Sequence, residues 1–266
     1  MKSILIAVLV LACLAPLSTA ADEPVSGATA AAVVEVVDGD TVILDRPVAG
    51  AQQVRLIGLQ APKLPLGRAE FEPWPLADEA KNALAALVLS KQVTLRFTGE
   101  PLDRHGRLLA HLETADGRWV QGALLSAGMA RVYSFADNRA RVGEMLTQER
   151  AARAAERGIW SHPFYAVRGP DEAWTHLSTF QLVEGRIVDA ARVKGTIYLN
   201  FGEDWRTDFT VRIRPPARRV FERAGVDPTA WKGRRIRVRG WLRKLNGPMI
   251  EASHPEQIEV LAERGS

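Results

Sequence analysis

The sequence predicts a mainly β protein with helices, of the α+β class, built as two small barrels in tandem. Three observations carry this. Runs of β-branched residues are closed by Asp38-Gly39 and Asn246-Gly247, residue pairs that tight hairpin turns favour. Helical periodicity is confined to three segments of the first half and one of the second. The charge balance also changes along the chain: residues 21–164 carry 16 Lys/Arg against 18 Asp/Glu, and residues 165–266 carry 18 against 13. That asymmetry supports two domains and turns the second toward anionic partners.

Taken in order, the chain opens on MKSILIAVLVLACLAPLSTA, with Lys2, an apolar stretch over 4–17 and the small residues Ser18-Thr19-Ala20-Ala21. This is the pattern of a secretory signal peptide over residues 1–20, too short for a spanning helix. The single cysteine, Cys13, follows Val10-Leu11-Ala12, a lipobox-like run. Export is therefore expected by one of two routes: cleavage near Ala20, giving a periplasmic or secreted protein, or a lipid anchor on Cys13 in the envelope. With its only cysteine here, the folded body has no disulfide, catalytic thiol or cysteine metal site.

The first domain is expected over residues 30–164. Residues 30–44 form a hairpin about Asp38-Gly39, and 53–59 a third strand. Residues 62–75, rich in Pro, Gly and charge, form a stiff loop. Residues 76–89 form a helix, with apolar positions recurring every four residues and Asp78 and Glu79 in its first turn. Strands follow over 92–98 and 108–114. A short helix over 120–127 ends at Gly128, and a longer one over 142–157 ends at Gly158. Residues 165–179 are expected as a linker. Residues 180–262 form the second domain: strands over 182–188, 196–201 and 209–214, a helix over 215–224, then strands over 234–243 and 249–253. Three strands, a helix, then two strands is the order of an OB-fold barrel.

Four motifs of the first domain belong together: Val37-Asp38-Gly39-Asp40-Thr41-Val42; Val54-Arg55-Leu56-Ile57-Gly58-Leu59 with Ala61-Pro62; Leu102-Asp103-Arg104-His105-Gly106-Arg107-Leu108-Leu109-Ala110; and Glu156-Arg157-Gly158-Ile159-Trp160. In this order and spacing they resemble the thermonuclease (staphylococcal-nuclease-like) family over about residues 34–160, roughly half the chain. The resemblance implies an OB-type barrel and calcium-dependent hydrolysis of DNA or RNA phosphodiesters. Two strand-end aspartates would hold Ca²⁺, which favours hard oxygen ligands. Two arginines would clamp the phosphate with planar, permanently charged forks, and a glutamate would act on the attacking water.

Residue by residue, Asp40 falls on the first metal aspartate, and Arg55 and Arg107 fall on the catalytic clamps. Gln60 takes the second metal position, where it offers only a neutral carbonyl, and Ala61 stands where a hydroxyl is usual. Lys63 takes the position of the glutamate base. An ammonium of ordinary pKa does not accept a proton near neutral pH, and losing a general base costs ~10²–10⁴ in rate. Glu70 and Glu72 are candidates for a substitute base, with Asp78 and Glu79 behind them. Alternatively, Lys63 is a third phosphate contact. Asp38, Asp103 and His105 read as turn and loop formers.

In the second domain, residues 212–244 hold 12 Lys/Arg and two acids, Glu222 and Asp227. On a strand, Arg235, Arg237 and Arg239 share one face. With Tyr198, Phe201, Trp205 and Trp241 nearby in sequence, that face fits single-stranded nucleic acid; it also fits a solvated cationic surface, or another polyanion. This half loosely resembles the OB-like extensions behind some bacterial thermonuclease-like domains. No histidine pair has zinc-ligand spacing. Three readings stay open: a calcium-dependent phosphodiesterase using Asp40, Gln60, Arg55 and Arg107; a non-catalytic nucleic-acid or polyanion binder of the envelope that also uses Lys63; and a structural envelope protein anchored through Cys13.

Overall fold

The computed structural model describes residues 27–99 and 101–262, so the leader and Cys13 lie outside the described residues. The first half runs β1 (Ala28–Asp38), β2 (Thr41–Val48), β3 (Ala51–Leu56), β4 (Leu59–Gln60), α1 (Ala77–Val88), β5 (Gln92–Arg96), β6 (Leu108–Thr114), α2 (Val120–Ser126), β7 (Arg131–Val132) and α3 (Val142–Ala154). Five of its strands close a barrel in the order β1-β2-β3-β6-β5. The β3–β6 pair is parallel and the others are antiparallel. Side chains alternate across each strand, so Val54 and Leu56 enter the core with Val42, Leu44, Leu95, Leu108 and Leu112. Arg55, between them, stays half-buried. Helix α1 closes one side of the barrel with Ala80, Leu84 and Val88.

Two glycines shape the barrel mouth. A Cβ on Gly39 would lie 2.7 Å from the Ala61 Cβ and 2.8 Å from the Ala80 Cβ, so only glycine lets the first hairpin press against the loop after β4 and against α1. Gly58 has φ +78° and a Cβ there would overlap Met145. It turns the chain sharply after β3. The strand expected over 53–59 is therefore two strands: β3 ends at Leu56, and β4 leaves the barrel to pair with β7, Gln60 opposite Arg131.

The second half comprises β8 (Phe180–Arg186), β9 (Asp189–Val193), β10 (Thr196–Asn200), β11 (Thr210–Ile213), α4 (Pro215–Arg223), β12 (Arg235–Leu245), β13 (Gly247–Glu251) and β14 (Ile258–Val260). Strand β8 bends through Ile187 and Val188 into β9. The Ile187 N–H donates to the Arg234 carbonyl at 2.9 Å and the Val188 N–H to the Asn200 carbonyl at 2.8 Å. One bent strand thus pairs with β12 through its first part and with β10 through its second. With β10–β11, the parallel β11–β13 pair and β13–β12, it completes a ring. Both halves share one plan, a parallel pair joining the third and fifth strands and a helix between the third and fourth, which is the OB architecture.

Apolar residues gather in two separate cores, one per barrel. The segment expected as a linker is packed rather than loose. Tyr165 and Ala173 are buried, the Tyr165 hydroxyl donates to the Pro75 carbonyl at 2.7 Å, and the Trp174 indole donates to the Thr207 carbonyl at 3.0 Å. Among the described residues, no helix is long and apolar enough to cross a membrane.

Candidate functional site

The turn that Gly39 permits carries Asp38 and Asp40 into the barrel mouth, where both are buried. The Asp40 carboxylate collects donors from three segments. Its Oδ2 accepts from the Ala61 N–H at 2.9 Å and from Lys63 Nζ at 2.7 Å, and pairs ionically with Arg55 Nη2 at 3.2 Å. Its Oδ1 accepts from Lys63 Nζ at 2.8 Å and from the Thr41 hydroxyl at 3.2 Å. Asp38 Oδ2 lies 3.4 Å from the same ammonium, and Asp38 Oδ1 accepts from the Asp40 N–H at 3.1 Å. Burial alone pushes the Asp40 carboxyl up, but the Arg55 guanidinium and the Lys63 ammonium overcome it and hold the group at about 2. Asp38 moves the other way, raised by burial and by the Asp40 charge against the opposing pull of Lys63.

Arg55 is equally committed. Its Nη1 donates to the Leu56 carbonyl at 2.8 Å and its Nη2 to the Leu59 carbonyl at 2.7 Å, in addition to Asp40. The cluster is thus two carboxylates and two cations that neutralise one another.

Calcium does not fit this arrangement. It takes about 6–8 oxygens at roughly 2.3–2.6 Å. Both Asp40 oxygens already hold the Lys63 ammonium, and a divalent ion ~4 Å from that charge would be repelled by about 8 kcal/mol at an effective dielectric of ~20. Gln60, expected as a neutral ligand, is turned away. Its Oε1 accepts from Arg131 Nη2 at 2.8 Å and Nε at 3.1 Å. The Arg131 guanidinium is buried under aromatic faces, 4.6 Å from the Phe180 ring centroid and 5.7 Å from that of Trp74. Burial lowers its pKa to about 10. Among the described residues, no group of three His, Cys, Asp or Glu is arranged to hold a metal.

The structure thus brings Asp38, Asp40, Arg55 and Lys63 together. Arg107 lies two residues before Leu109, the β6 partner of Arg55. Its guanidinium is held by Asp103 of its own loop, at 2.8 Å from Nε and 2.7 Å from Nη2. Glu70 and Glu72 are exposed on the loop after Lys63, and the cluster's hydrogen bonds and ion pairs do not involve them.

The cationic face expected of the second domain is corrected outright. Arg235, Arg237 and Arg239 do share one face of β12, but acids are paired with all three, and only Arg239 is buried. Arg235 and Arg237 pair with Glu184 on β8. Arg239 is 1% exposed. It binds both oxygens of Glu149 on α3 at 2.8 Å and Glu259 on β14 at 2.8 Å. Burial opposes its charge, yet the two carboxylates raise its pKa. Arg239 joins the barrels, because α3 of the first barrel carries an acid on its buried side, whereas Arg235 and Arg237 pair within the second barrel. Of the aromatics expected beside them, Phe201 is a core residue, while Trp205 and Trp241 are exposed.

At the same seam lies a cleft of about 210 Å³ lined by Tyr133, Phe135, Phe180, Trp241 and Arg243, among others. The Trp241 indole donates to the Tyr133 hydroxyl at 3.1 Å, and Tyr133 meets Phe135 and Phe180 edge-on. Phe135 is 52% and Trp241 41% exposed. Sequence reading reached Trp241 but missed Tyr133, Phe135, Phe180, Arg131 and Glu149. Only Glu149 left a trace, as a lone acid on the face that Met145, Leu146 and Ala152 bury.

A five-stranded barrel whose first hairpin sets a buried carboxylate beside an arginine at its mouth defines an OB-type domain of the nuclease kind. Residues 53–162 match the model of the staphylococcal nuclease homologue family. Over 145 residues the chain is 32% identical to an uncharacterized endonuclease of Escherichia coli, covering 54% of this chain and 83% of that protein. It is 27% identical over 131 residues to the thermonuclease of Staphylococcus hyicus, covering 49% of this chain and 75% of that protein. Over 132 residues it is 29% identical to endonuclease YhcR of Bacillus subtilis (strain 168), 47% of this chain but 11% of that longer protein. The chain belongs to the staphylococcal nuclease homologue family.

Proposed function

We propose that this protein is a nucleic-acid-binding member of the nuclease family that holds single-stranded DNA or RNA without calcium-dependent hydrolysis. The observation that carries this reading is the Lys63 ammonium, seated on both oxygens of Asp40 where the family's chemistry calls for a base and a metal. What supports binding is the exposed aromatic cleft between the barrels, with Arg243 on its rim. Aromatic faces stack bases at about 1–3 kcal/mol each, whatever the sequence. Export, by cleavage near Ala20 or through lipid on Cys13, is part of the same proposal and rests on residues 1–20; the mass of the mature chain separates the two routes.

The test is fluorescence anisotropy and gel analysis of a labelled single-stranded oligonucleotide, in Ca²⁺ and in chelator. Binding is expected to be salt-sensitive, indifferent to calcium and free of cleavage. Phe135→Ala should weaken it by roughly 5–150-fold, the loss of one stacked base. Calcium-dependent cleavage that disappears in Arg55→Ala would overturn the reading in favour of hydrolysis. Equal retention of a polyanion without bases, unaffected by Phe135→Ala, would reduce it to charge alone.

A further inference from the structure

We infer that Lys63 is a built-in substitute for a divalent cation, so that this barrel mouth is closed without calcium and takes none up. The inference concerns the same site as the proposed function but goes beyond it, and it stands or falls separately.

The geometry is that of a bound cation on a tether. The ammonium has three N–H donors and three carboxylate oxygens within reach: 2.7 and 2.8 Å on Asp40, and 3.4 Å on Asp38. It lies on the two oxygens of one carboxylate and leans toward a second, as a bridging metal would. The contacts join segments far apart in sequence, separated by 23 and 25 positions. The ammonium ties the loop after β4 to the first hairpin, and Arg55, paired with the same Asp40, adds the end of β3 through the Leu56 and Leu59 carbonyls. A free ion does this only at sufficient concentration; a side chain does it always. Gln60 Oε1, the acceptor expected as a neutral metal ligand, is spent on Arg131. Asp40 is thus matched by two cations of the chain itself, Lys63 and Arg55.

The test needs no nucleic acid. Thermal melts and calorimetric calcium titrations are run on the parent, Lys63→Gln and Lys63→Glu. The parent should melt at the same temperature in calcium and in chelator and show no saturable heat. Lys63→Gln should melt lower than the parent in chelator, because Asp40 loses its nearest cation. Lys63→Glu restores a third carboxylate. It should bind one calcium per chain and, at ~100-fold excess over its Kd, gain roughly 5–10 °C. Saturable calcium uptake by the parent, or a Lys63→Gln melt equal to the parent's in chelator, would overturn the inference. If Lys63→Glu does not fold in chelator, its recovery on refolding with calcium is the supporting result, and failure in both conditions counts against it. Should the oligonucleotide assay fail while these melts behave as described, the nucleic-acid reading falls and the role of Lys63 remains.

Discussion

Replacing Arg239 by methionine separates a structural arginine from a ligand-binding one. Arg239 is buried between Glu149, itself fully buried, and Glu259. Breaking a buried ion pair by removing one partner costs about 3–5 kcal/mol, chiefly for the charge left behind. Here the carboxylates are not abandoned. Glu149 keeps Arg153 at 2.9 Å and the Val132 N–H at 2.6 Å, and Glu259 keeps Arg153 at 3.3 Å and Arg237 at 3.6 Å. Methionine also preserves much of the apolar stem. The expected loss is therefore at the low end, about 3 kcal/mol, or roughly 6–12 °C in melting temperature for a chain of this size. Urea unfolding measures it, and hydrogen exchange should show faster opening in α3 and β12, the elements the arginine joins. Adding Glu149→Gln removes a buried charge that has lost one of its two arginines while an amide oxygen still accepts from Val132, so the double variant should recover part of the loss. A loss below ~1 kcal/mol, accompanied by weaker oligonucleotide binding, would refute this reasoning and return Arg239 to the role its place in the sequence suggested.

Acid should destabilise the protein through two histidines. Burial lowers His111 and His254 to about 4, each from an ordinary value near 6.5. The unfolded chain therefore takes up protons first as pH falls. The stabilisation is complete above about pH 6.5 and is lost progressively down to about pH 4, by up to about 3 kcal/mol per histidine. His254→Gln should remove about half of that slope in urea midpoints measured across the window, and a flat parental profile would contradict the assignment. At the end of α2, Gly128→Ala should be severe, by more than ~3 kcal/mol: its φ is +68° and the new Cβ would sit 2.1 Å from the Arg157 carbonyl oxygen. Gly117→Ala, with φ +78° and open space around it, should cost only about 1 kcal/mol, and equal effects would argue against the close approach.

What the sequence disclosed and what it hid divide along the range of the interactions. The first hairpin, the helices and the strand order of both barrels were legible because their cues are local: Asp-Gly and Asn-Gly turns, alternation, and glycines ending helices. Strands β4 and β7, two residues each, are too short to carry a period, and so the turn at Gly58 and the departure of Gln60 from the barrel were invisible. The alternation of Arg235, Arg237 and Arg239 correctly put them on one face, but alternation cannot say what lies opposite. The covering acid, Glu149, is 90 positions away. Arg107, placed in a clamp by its motif, is oriented by Asp103, four residues before it in the same motif.

The departures at positions 60 and 63 make physical sense together and not singly. The resemblance calls for two aspartates holding one divalent ion and a glutamate base beside them, three negative charges against two positive. With Gln60 and Lys63 in those places, the carboxylates of Asp38 and Asp40 face the cations of Lys63 and Arg55. The mouth is then close to neutral without an ion, as the family's pattern is close to neutral with one. Lysine beside a retained second aspartate would leave carboxylates partly unmatched and still attract a metal. Glutamine beside a retained glutamate would leave a weakened metal site with nothing in its place. The amide has a further use that a carboxylate would alter. It accepts from Arg131, whose guanidinium rests on the Phe180 ring at the start of the second barrel. The same substitution that removes a metal ligand therefore ties the mouth to the seam where the second barrel packs.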